Sequence, residues 1–419
     1  MFPGMNLRHN IDSADRRRRS AWCAVLLGMA LAAAPAAQSA DPLGDYLEAI
    51  ESAEAVGGSY AVELVDLYHG MGQSLLEQGD LEEARDAFYR AAMVARVNAG
   101  PHSLEQANYL YSIADVESRM GNAGAAVEAL EDVYQLHARH HGEDSAAMLP
   151  VAQQIHAWYR ERMTWEGVPV RSSDYQNMSY LTARIAALTE AEYGLGDLRT
   201  AMTLRALGQS HYQAIRQVLV TGQVPDPELV MDLPESDGAY PPQRSLVAHV
   251  MQGEEALMRV VGSWQSNPAG SDLEVAEALA QLGDWNLALE FNRSAAANYE
   301  EAYRVLAQSD EFGFMADDYF GAPSPLRLMN DAGPYVRSLD PPAAEASLEV
   351  SMSVSAEGRL RDLQMVSAPT GVSAERQQEI LQQLGHILFR PAVVGGKVQG
   401  VEGFVWKTPV RFVENETAP

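Results

Sequence analysis

Cysteine is almost absent from this sequence of 419 residues, which contains one, Cys23. Cys23 lies in an N-terminal stretch that we predict to be removed, and its surroundings do not resemble a lipoprotein cleavage site. A chain without cysteine forms neither a disulfide nor a cysteine-bound metal site, and it has no thiolate nucleophile. The mature protein must therefore be stable and functional without any of these.

Positive charge is also scarce. The chain has 30 Lys and Arg against 57 Asp and Glu, a net charge of −27. Removal of residues 1–40 takes away five arginines and two aspartates, which leaves 25 basic and 55 acidic side chains and a net charge of −30. Such a chain is repelled by nucleic acid and by anionic membrane surfaces. We therefore predict no nucleic-acid partner, and membrane contact only if the N-terminal stretch is retained.

Signatures of catalysis are missing as well. The sequence has no nucleophile elbow, no phosphate-binding glycine loop, no H-E-x-x-H and no dinucleotide fingerprint. The acids in "MADDYFG" and "MDLPESDG" lack a nearby partner for general acid–base chemistry. His137 and His141 of "HARHHGED" could share a helix face, but no third ligand is well placed. We predict no enzymatic activity, no cofactor and no metal; a hydrolase would need two carboxylates converging in a pocket.

The N-terminus carries only a short hydrophobic run. "RRRRS" at residues 16–20 precedes an apolar stretch at 21–35, and small residues follow at 36–40. This is the layout of a secretory signal peptide, and the apolar stretch is short for a membrane span. We predict that residues 1–40 are a cleavable signal peptide. The alternative is an uncleaved anchor in the inner membrane, from which the protein would face the periplasm.

A repeat with a period of 42 residues occupies the first part of the mature chain. Gly121 follows Gly79 by 42 residues. The same step relates residues of similar size: Gly72 to Ala114, Ala84 to Ala126 and Phe88 to Leu130. Small residues let two antiparallel helices approach closely, and a glycine with positive φ ends the first helix of each pair. Such units bury their apolar faces by stacking on neighbours.

This pattern resembles the tetratricopeptide repeat, in the longer-helix variety of kinesin light chains, and "NAGPHSLEQANYLYSIA" resembles the linker of that variety. Further first helices fit at residues 142–159 and 193–212. A late helix pair fits at 272–306, with these residues in register: Ala276, Gly283, Ala288 and Ala295. Prolines and acidic residues predict a loop near 221–243. We therefore predict a multidomain protein whose residues 41–307 form an all-α tetratricopeptide-like helical repeat array.

The resemblance also implies a binding surface. The first helices of such repeats line a groove that takes up protein or peptide partners. By repeat geometry, we expect this groove to be lined by five residues: Tyr68, Leu75, Asn108, Tyr111 and Glu117.

The pattern changes after Leu306. Residues 308–333 combine aromatic residues with glycine and proline, which predicts a linker. Apolar and polar residues then alternate over 348–355, as in a half-buried strand, and a second strand returns over 360–366. One helix fits at 373–386, and a last strand or strand pair turns at Gly395, Gly396 and Lys397. The order predicts a small α+β domain over residues 334–413, followed by a tail at 414–419.

This order resembles the C-terminal domain of TonB-family energy transducers. The resemblance rests on "VSMSVSAEGRLRDLQMVSAP", "FRPAVVGGKVQG" and "TPVRF". It implies a periplasmic domain that binds a short segment of an outer-membrane receptor by adding a strand to its sheet. The strand that would pair contains Gly403, Phe404, Val405, Trp406, Lys407, Thr408, Val410, Arg411 and Phe412. Pro409 lacks an N–H, which suits an edge strand.

Together, these patterns predict an exported periplasmic adaptor with two binding surfaces, the repeat groove and the strand edge. Its partners would be proteins or peptides, including segments of outer-membrane receptors. The alternative is a membrane-anchored, TonB-like energy transducer that supports outer-membrane receptor transport. A transducer has a retained membrane helix and a long proline-rich spacer, whereas this chain has a short apolar run and a helical array in those places.

Overall fold

The computed structural model describes residues 42–231, 246–326, 335–338, 347–368, 372–409 and 411–414. At residues 335–338 and from 408 onward, only the backbone is described. The predicted signal peptide and the tail after residue 414 lie outside these ranges, as does the larger part of the predicted loop.

Helices make up most of the described chain. In chain order they are α1 (Pro42–Gly57), α2 (Glu63–Gln78), α3 (Leu81–Ala99), α4 (Gln106–Arg119), α5 (Ala123–His141), α6 (Met148–Arg162), α7 (Ser172–Tyr193), α8 (Leu198–Thr221), α9 (Leu246–Ser266), α10 (Asp272–Ala288), α11 (Asn292–Ala307), α12 (Ala316–Phe320) and α13 (Ala374–Leu384). From α1 to α11, consecutive helices pack on one another, which is the arrangement of a helical repeat array. None of the described helices combines the length and apolar character that crossing a bilayer requires.

The first two helix pairs are built as the sequence predicts. Gly79 follows α2 with a φ of 87°, and Gly121 follows α4 with a φ of 85°. After each glycine, the next N–H turns back to the end of the helix: Asp80 donates to the Leu75 carbonyl at 3.0 Å, and Asn122 to that of Glu117 at 2.8 Å. Glycine adopts this left-handed conformation without steric penalty, so it ends the first helix of each pair.

The late pair, α10 and α11, has a different register from the predicted one. The predicted register aligned Gly283 with the turn residue Gly79, but Gly283 lies inside α10, where an added Cβ would be 2.4 Å from Tyr299 Cε1. Gly72 lies against Phe88 in the same way, at 2.6 Å. The turn residue is Glu290, with a φ of 65°. The predicted register was wrong because a glycine can be required either by close helix contact, as at Gly283, or by positive φ, as at Gly79.

The middle of the array departs from the repeat length. α7 has 22 residues and α8 has 24, longer than any helix of the first two pairs. The first helices predicted at 142–159 and 193–212 correspond to α6 and α8. The predicted loop begins after Thr221 and contains a 3₁₀ turn at Pro227–Leu229; the structure describes it as far as Met231.

The described strands all lie near the C-terminus: β1 (Ser324–Pro325), β2 (Tyr335–Ser338), β3 (Ser347–Val354), β4 (Leu360–Ser367), β5 (Phe389–Arg390), β6 (Ala392–Val394), β7 (Lys397–Gln399), β8 (Val401–Pro409) and β9 (Arg411–Glu414). β3 is the centre of a three-stranded antiparallel sheet in the order β4-β3-β8. β6 and β7 form the hairpin predicted at Gly395 and Gly396, both of which have positive φ.

One face of this sheet carries a small core of its own. Along β3, side chains alternate between buried and half-buried, as the period-two pattern predicts. The buried ones are Leu348, Val350, Met352 and Val354, and they pack with Ile380 and Leu384 of α13. We call residues 347–409 the C-terminal module.

The segment predicted as a linker is folded as far as Leu326. It contains a 3₁₀ turn at Gly313–Met315, then α12 and β1, and β1 pairs with β5. Phe320 is 1% exposed and joins the core of the last helix pair. Three aromatic residues of this segment, Phe312, Tyr319 and Phe320, bury apolar surface and so hold it against the array, whereas Phe314 is exposed.

A buried ion pair joins the array to the C-terminal module. Both guanidinium nitrogens of Arg390 that face Asp284 donate to its carboxylate, at 2.9 and 2.8 Å, and the Tyr299 hydroxyl donates to the same carboxylate at 2.9 Å. The Asp284 side chain is fully buried, and that of Arg390 is 10% exposed. Burial alone would lower the pKa of Arg390, but the Asp284 carboxylate reverses this and raises it.

The β6–β7 hairpin adds further contacts to the same interface. Val393 belongs to the hydrophobic core of α10 and α11. Lys397 pairs with Glu300 at 2.7 Å, and the Val398 N–H donates to the same carboxylate. The C-terminal module therefore covers the end of the array, where the last helix pair would otherwise expose apolar surface.

We predict that Asp284→Ala lowers the free energy of unfolding by about 3–5 kcal/mol, because it leaves the Arg390 charge buried without a counterion. Glu300→Ala is the matched control. It removes the exposed pair with Lys397 at the same interface, and we expect a loss within about 1 kcal/mol. Urea unfolding followed by far-UV circular dichroism measures both. Equal losses for the two variants would contradict a dominant role for the buried pair.

Candidate partner-binding surfaces

The first helices of successive repeats lie side by side and are linked by polar side chains. His69 of α2 is 2.9 Å from the Ser112 hydroxyl of α4. The indole N–H of Trp158, on α6, donates to Asp115 of α4 at 2.5 Å. Because α2, α4 and α6 are linked in this order, their outward residues form one continuous surface, which we call the first-helix face.

Three of the predicted groove residues are at least partly accessible. Asn108 is exposed, and Tyr68 and Tyr111 are half-buried. The Tyr68 hydroxyl donates to Glu54 of α1 at 3.2 Å, and Arg90 lies over its ring at 5.8 Å. The Tyr111 hydroxyl is buried and has no hydrogen-bond partner among the described residues. Because this hydroxyl is out of reach of solvent, only the other atoms of Tyr111 contribute to the first-helix face.

The other two predicted groove residues lie in the interior. Leu75 is 4% exposed and packs in the core between the first repeats. Glu117 is also 4% exposed, and its carboxylate accepts hydrogen bonds from Tyr89 at 3.2 Å and Asn122 at 2.8 Å. In this conformation neither side chain is available to a partner.

Sequence reasoning missed several residues that build the first-helix face. Asp115 and Trp158 are 43 residues apart, as are His69 and Ser112. The pKa of Asp115 is raised, because the effect of burial exceeds the lowering effect of the hydrogen bond from Trp158. Arg119 stacks over Trp165 with 4.3 Å between the guanidinium carbon and the ring centroid. A search for pairs of polar or indole side chains about one repeat length apart in the sequence would have identified Asp115 with Trp158 and His69 with Ser112.

The second predicted surface, the strand edge, coincides with β8 and β9. β8 pairs antiparallel with β3 from Val401 to Pro409, and among the described strands it has no second neighbour. It is therefore an edge strand of the three-stranded sheet, with backbone groups that an added strand could use.

The side chains of β8 divide between the two sheet faces. Phe404 and Trp406 are half-buried against the core of the C-terminal module, and the Trp406 ring is 5.2 Å from that of Phe389. Val405 is 52% exposed, and Lys407 forms an ion pair with Glu349 of β3 at 3.4 Å. Phe404 and Trp406 thus hold the strand in place, while Val405 and Lys407 face outward.

The rest of the predicted edge is described in backbone only. Gly403 has a φ of 65° at an irregularity in the β3–β8 register. Thr408 pairs with Leu348, and Val410 lies outside the described residues. Arg411 and Phe412 pair with Tyr335 and Val336 of β2, so this part of the edge already has a neighbour within the chain.

The histidines considered as metal ligands lie at the end of α5. The rings of His137 and His141 are stacked with centroids 5.8 Å apart, and His140 contacts His141 edge-on at 4.7 Å. Across the part of the chain that the structure describes, no three or more His, Cys, Asp or Glu side chains converge as a metal would require.

A buried histidine cluster joins α7, α8 and α9 in the middle of the array. His249 Nε2 is 2.8 Å from Gln176 Oε1, and His249 Nδ1 is 2.8 Å from His211 Nδ1. An amide oxygen only accepts, so His249 carries its proton on Nε2 and accepts on Nδ1 from His211. His211 Nε2 is left as a buried acceptor that has no partner among the described residues. Burial lowers the pKa of His211 to about 3 and that of His249 to about 4.

Comparison with known proteins supports the helical part. Residues 63–139, from α2 to nearly the end of α5, match the family model of the tetratricopeptide repeat. Repeats of this family provide surfaces for protein–protein interaction, and catalysis is not their usual role. The match ends before the C-terminal module, whose resemblance to TonB-family transducers stays a prediction. No curated protein matches the chain.

Two solved structures illustrate the similarity. The crystal structure of BtubC (BKLC) from P. vanneervenii is 14% identical over 63% of this chain and 89% of that one, with a TM-score of 0.30. A putative kinesin light chain with nearly identical TPR-like repeats from Podosopora anserina is 14% identical over 57% of this chain and 94% of that one, with a TM-score of 0.32. At such TM-scores neither carries an argument about this chain.

We predict that the buried histidine cluster makes stability depend on pH. Both histidines have a folded-state pKa below the ordinary value of 6.5, so the unfolded chain binds more protons below that pH. Their contribution to the free energy of unfolding is complete above pH 6.5 and is lost as the pH falls toward 4. The free energy of unfolding should fall by up to about 1.4 kcal/mol per pH unit for each histidine.

Urea unfolding at pH 7, 6 and 5 measures this slope. The double variant His211→Gln, His249→Gln keeps all carboxylates and serves as the control, and it should show a much shallower slope over the same range. The same slope in both proteins would assign the pH dependence to other groups.

Proposed function

We propose that this protein is an exported periplasmic adaptor without enzymatic activity. Its helical repeats bind protein or peptide partners on the first-helix face, and its C-terminal module pairs with an extended segment of a partner through β8. Outer-membrane receptors are the class of partner that the TonB-like sequence favours. The observation that carries the proposal is the tetratricopeptide match at residues 63–139, together with an edge strand in the described part of the C-terminal module.

The first-helix face has features that suit peptide binding. It offers exposed Asn108, whose amide both donates and accepts, and half-buried Tyr68 on the neighbouring first helix. Extended peptides present backbone donors and acceptors at regular intervals, and the exposed amide of Asn108 can pair with either kind of group. The net charge of −27 favours partners with basic segments over acidic ones.

The β8 edge supports the second binding mode. Phe404 and Trp406 anchor the strand to its own core, and Pro409 ends the β3 ladder, since proline has no N–H to donate. A partner strand gains affinity from main-chain hydrogen bonds and specificity from side chains such as Val405 and Lys407.

The energy-transducer alternative depends on retention of residues 1–40. We predict that expression of the full-length chain in a Gram-negative host yields a periplasmic protein whose N-terminus lies between residues 37 and 41. The layout of a cleavable signal peptide is the reason. Cell fractionation followed by intact mass measures both properties. An intact N-terminus in the inner-membrane fraction would overturn the proposal and favour the transducer.

A photo-crosslinking amino acid at Val405 tests the partner-strand mode. The matched control position is Val366, which lies on β4, the opposite edge strand of the same sheet; the two side chains are 52% and 55% exposed. In cells, we expect crosslinks from Val405 to a segment of an outer-membrane receptor, identified by mass spectrometry, and at least tenfold fewer from Val366. Similar yields at both positions would reject β8 as the binding edge.

A further inference from the structure

The continuation of the β8 edge is already paired within the chain. β9 follows β8 after Val410, and its four residues pair in parallel with β2: Tyr335 with Arg411, Val336 with Phe412, Arg337 with Val413 and Ser338 with Glu414. Pairing with β3 ends at Pro409, opposite Ser347. The neighbour of the strand therefore changes at Pro409, from β3 to β2.

The pairing between β2 and β9 is of a kind that exchanges easily. It consists of four residue pairs and forms a sheet of two strands among the described residues. Parallel pairs are somewhat weaker per residue than antiparallel ones, and an isolated two-stranded sheet is marginally stable. The sequence also limits its growth, because Pro334 precedes β2 and Pro341 and Pro342 follow it, and none of them can donate a hydrogen bond.

We propose that β2 occupies β9 as an internal ligand, and that a partner's extended segment, besides pairing with β8, binds by displacing β2 from β9. This inference rests on the proposed function for its external partner. It specifies the partner as an extended peptide that pairs in parallel with Arg411–Glu414. This is the direction in which β2 pairs with β9. It also makes the edge partly self-inhibited, because an incoming strand gains only the difference between its own pairing and that of β2.

The internal pairing can be tested without an external partner. In a strand only alternate N–H groups face a given neighbour, so we would compare Val336→Pro with Arg337→Pro in the full chain. Val336→Ala and Arg337→Ala are the matched controls, since they keep the backbone N–H. At least one proline variant should speed amide hydrogen exchange at residues 411–414 tenfold or more, with unchanged exchange in β3.

The exchange itself is tested with a peptide of sequence PYVRSLD, residues 334–340. We expect it to bind the disrupting proline variant at least tenfold more tightly than the unchanged protein, by fluorescence anisotropy, and to restore slow exchange at residues 411–414. A scrambled peptide should do neither. Equal binding to both proteins, or exchange at residues 411–414 that is already as fast as in a free peptide without any mutation, would overturn the proposal.

These outcomes are separate from those of the partner experiment. The peptide test uses only the chain's own segment, so a positive result stands even if Val405 captures no receptor. Crosslinking from Val405 in turn supports partner binding at β8 even if β2 proves not to occupy β9.

Discussion

The structure depends on one buried carboxylate. Asp284 lies fully buried in the last helix pair, where an unpaired charge would be strongly destabilising, and its counterion comes from Arg390 in the C-terminal module. The array and the module are therefore parts of one folded unit at this end. The packing of Val393 and the pairing of β1 with β5 involve residues at or beside Arg390, so the ion pair also holds these contacts together. A partner bound at either surface acts on the same unit.

Much of the fold was accessible to sequence reasoning, for identifiable reasons. Gly79 and Gly121 mark turns, and alternation along 348–354 marks a strand, because each pattern reflects a local constraint on the backbone. The register of α10 and α11 was wrong because Glu290 occupies the left-handed turn position, where glycine was expected. The contact between Asp284 and Arg390 spans 106 residues, and no local pattern encodes it.

The candidate surfaces were predictable to a lesser extent. The 42-residue period identifies equivalent residues but not how far each helix is rotated about its axis. All three of Asn108, Leu75 and Glu117 were expected to line the groove, yet only Asn108 is exposed and the other two lie in the core. Glu117 is an acid, which normally indicates exposure, yet Tyr89 and Asn122 satisfy its carboxylate inside the protein. The strand containing Gly403–Pro409 lies at the edge of its sheet, as its sequence predicted, whereas the presence of β2 beside β9 depends on long-range topology.

The separation of Asp284 and Arg390 along the chain has a consequence for biosynthesis. The two residues are 106 positions apart, so at ordinary translation rates Asp284 leaves the ribosome roughly 5–20 s before Arg390. Throughout that interval the last helix pair has a carboxylate without a counterion and an uncovered apolar end. The last helix pair therefore cannot complete its core and its buried ion pair until Arg390 has been made, and until then it exposes apolar surface of the kind that chaperones recognise.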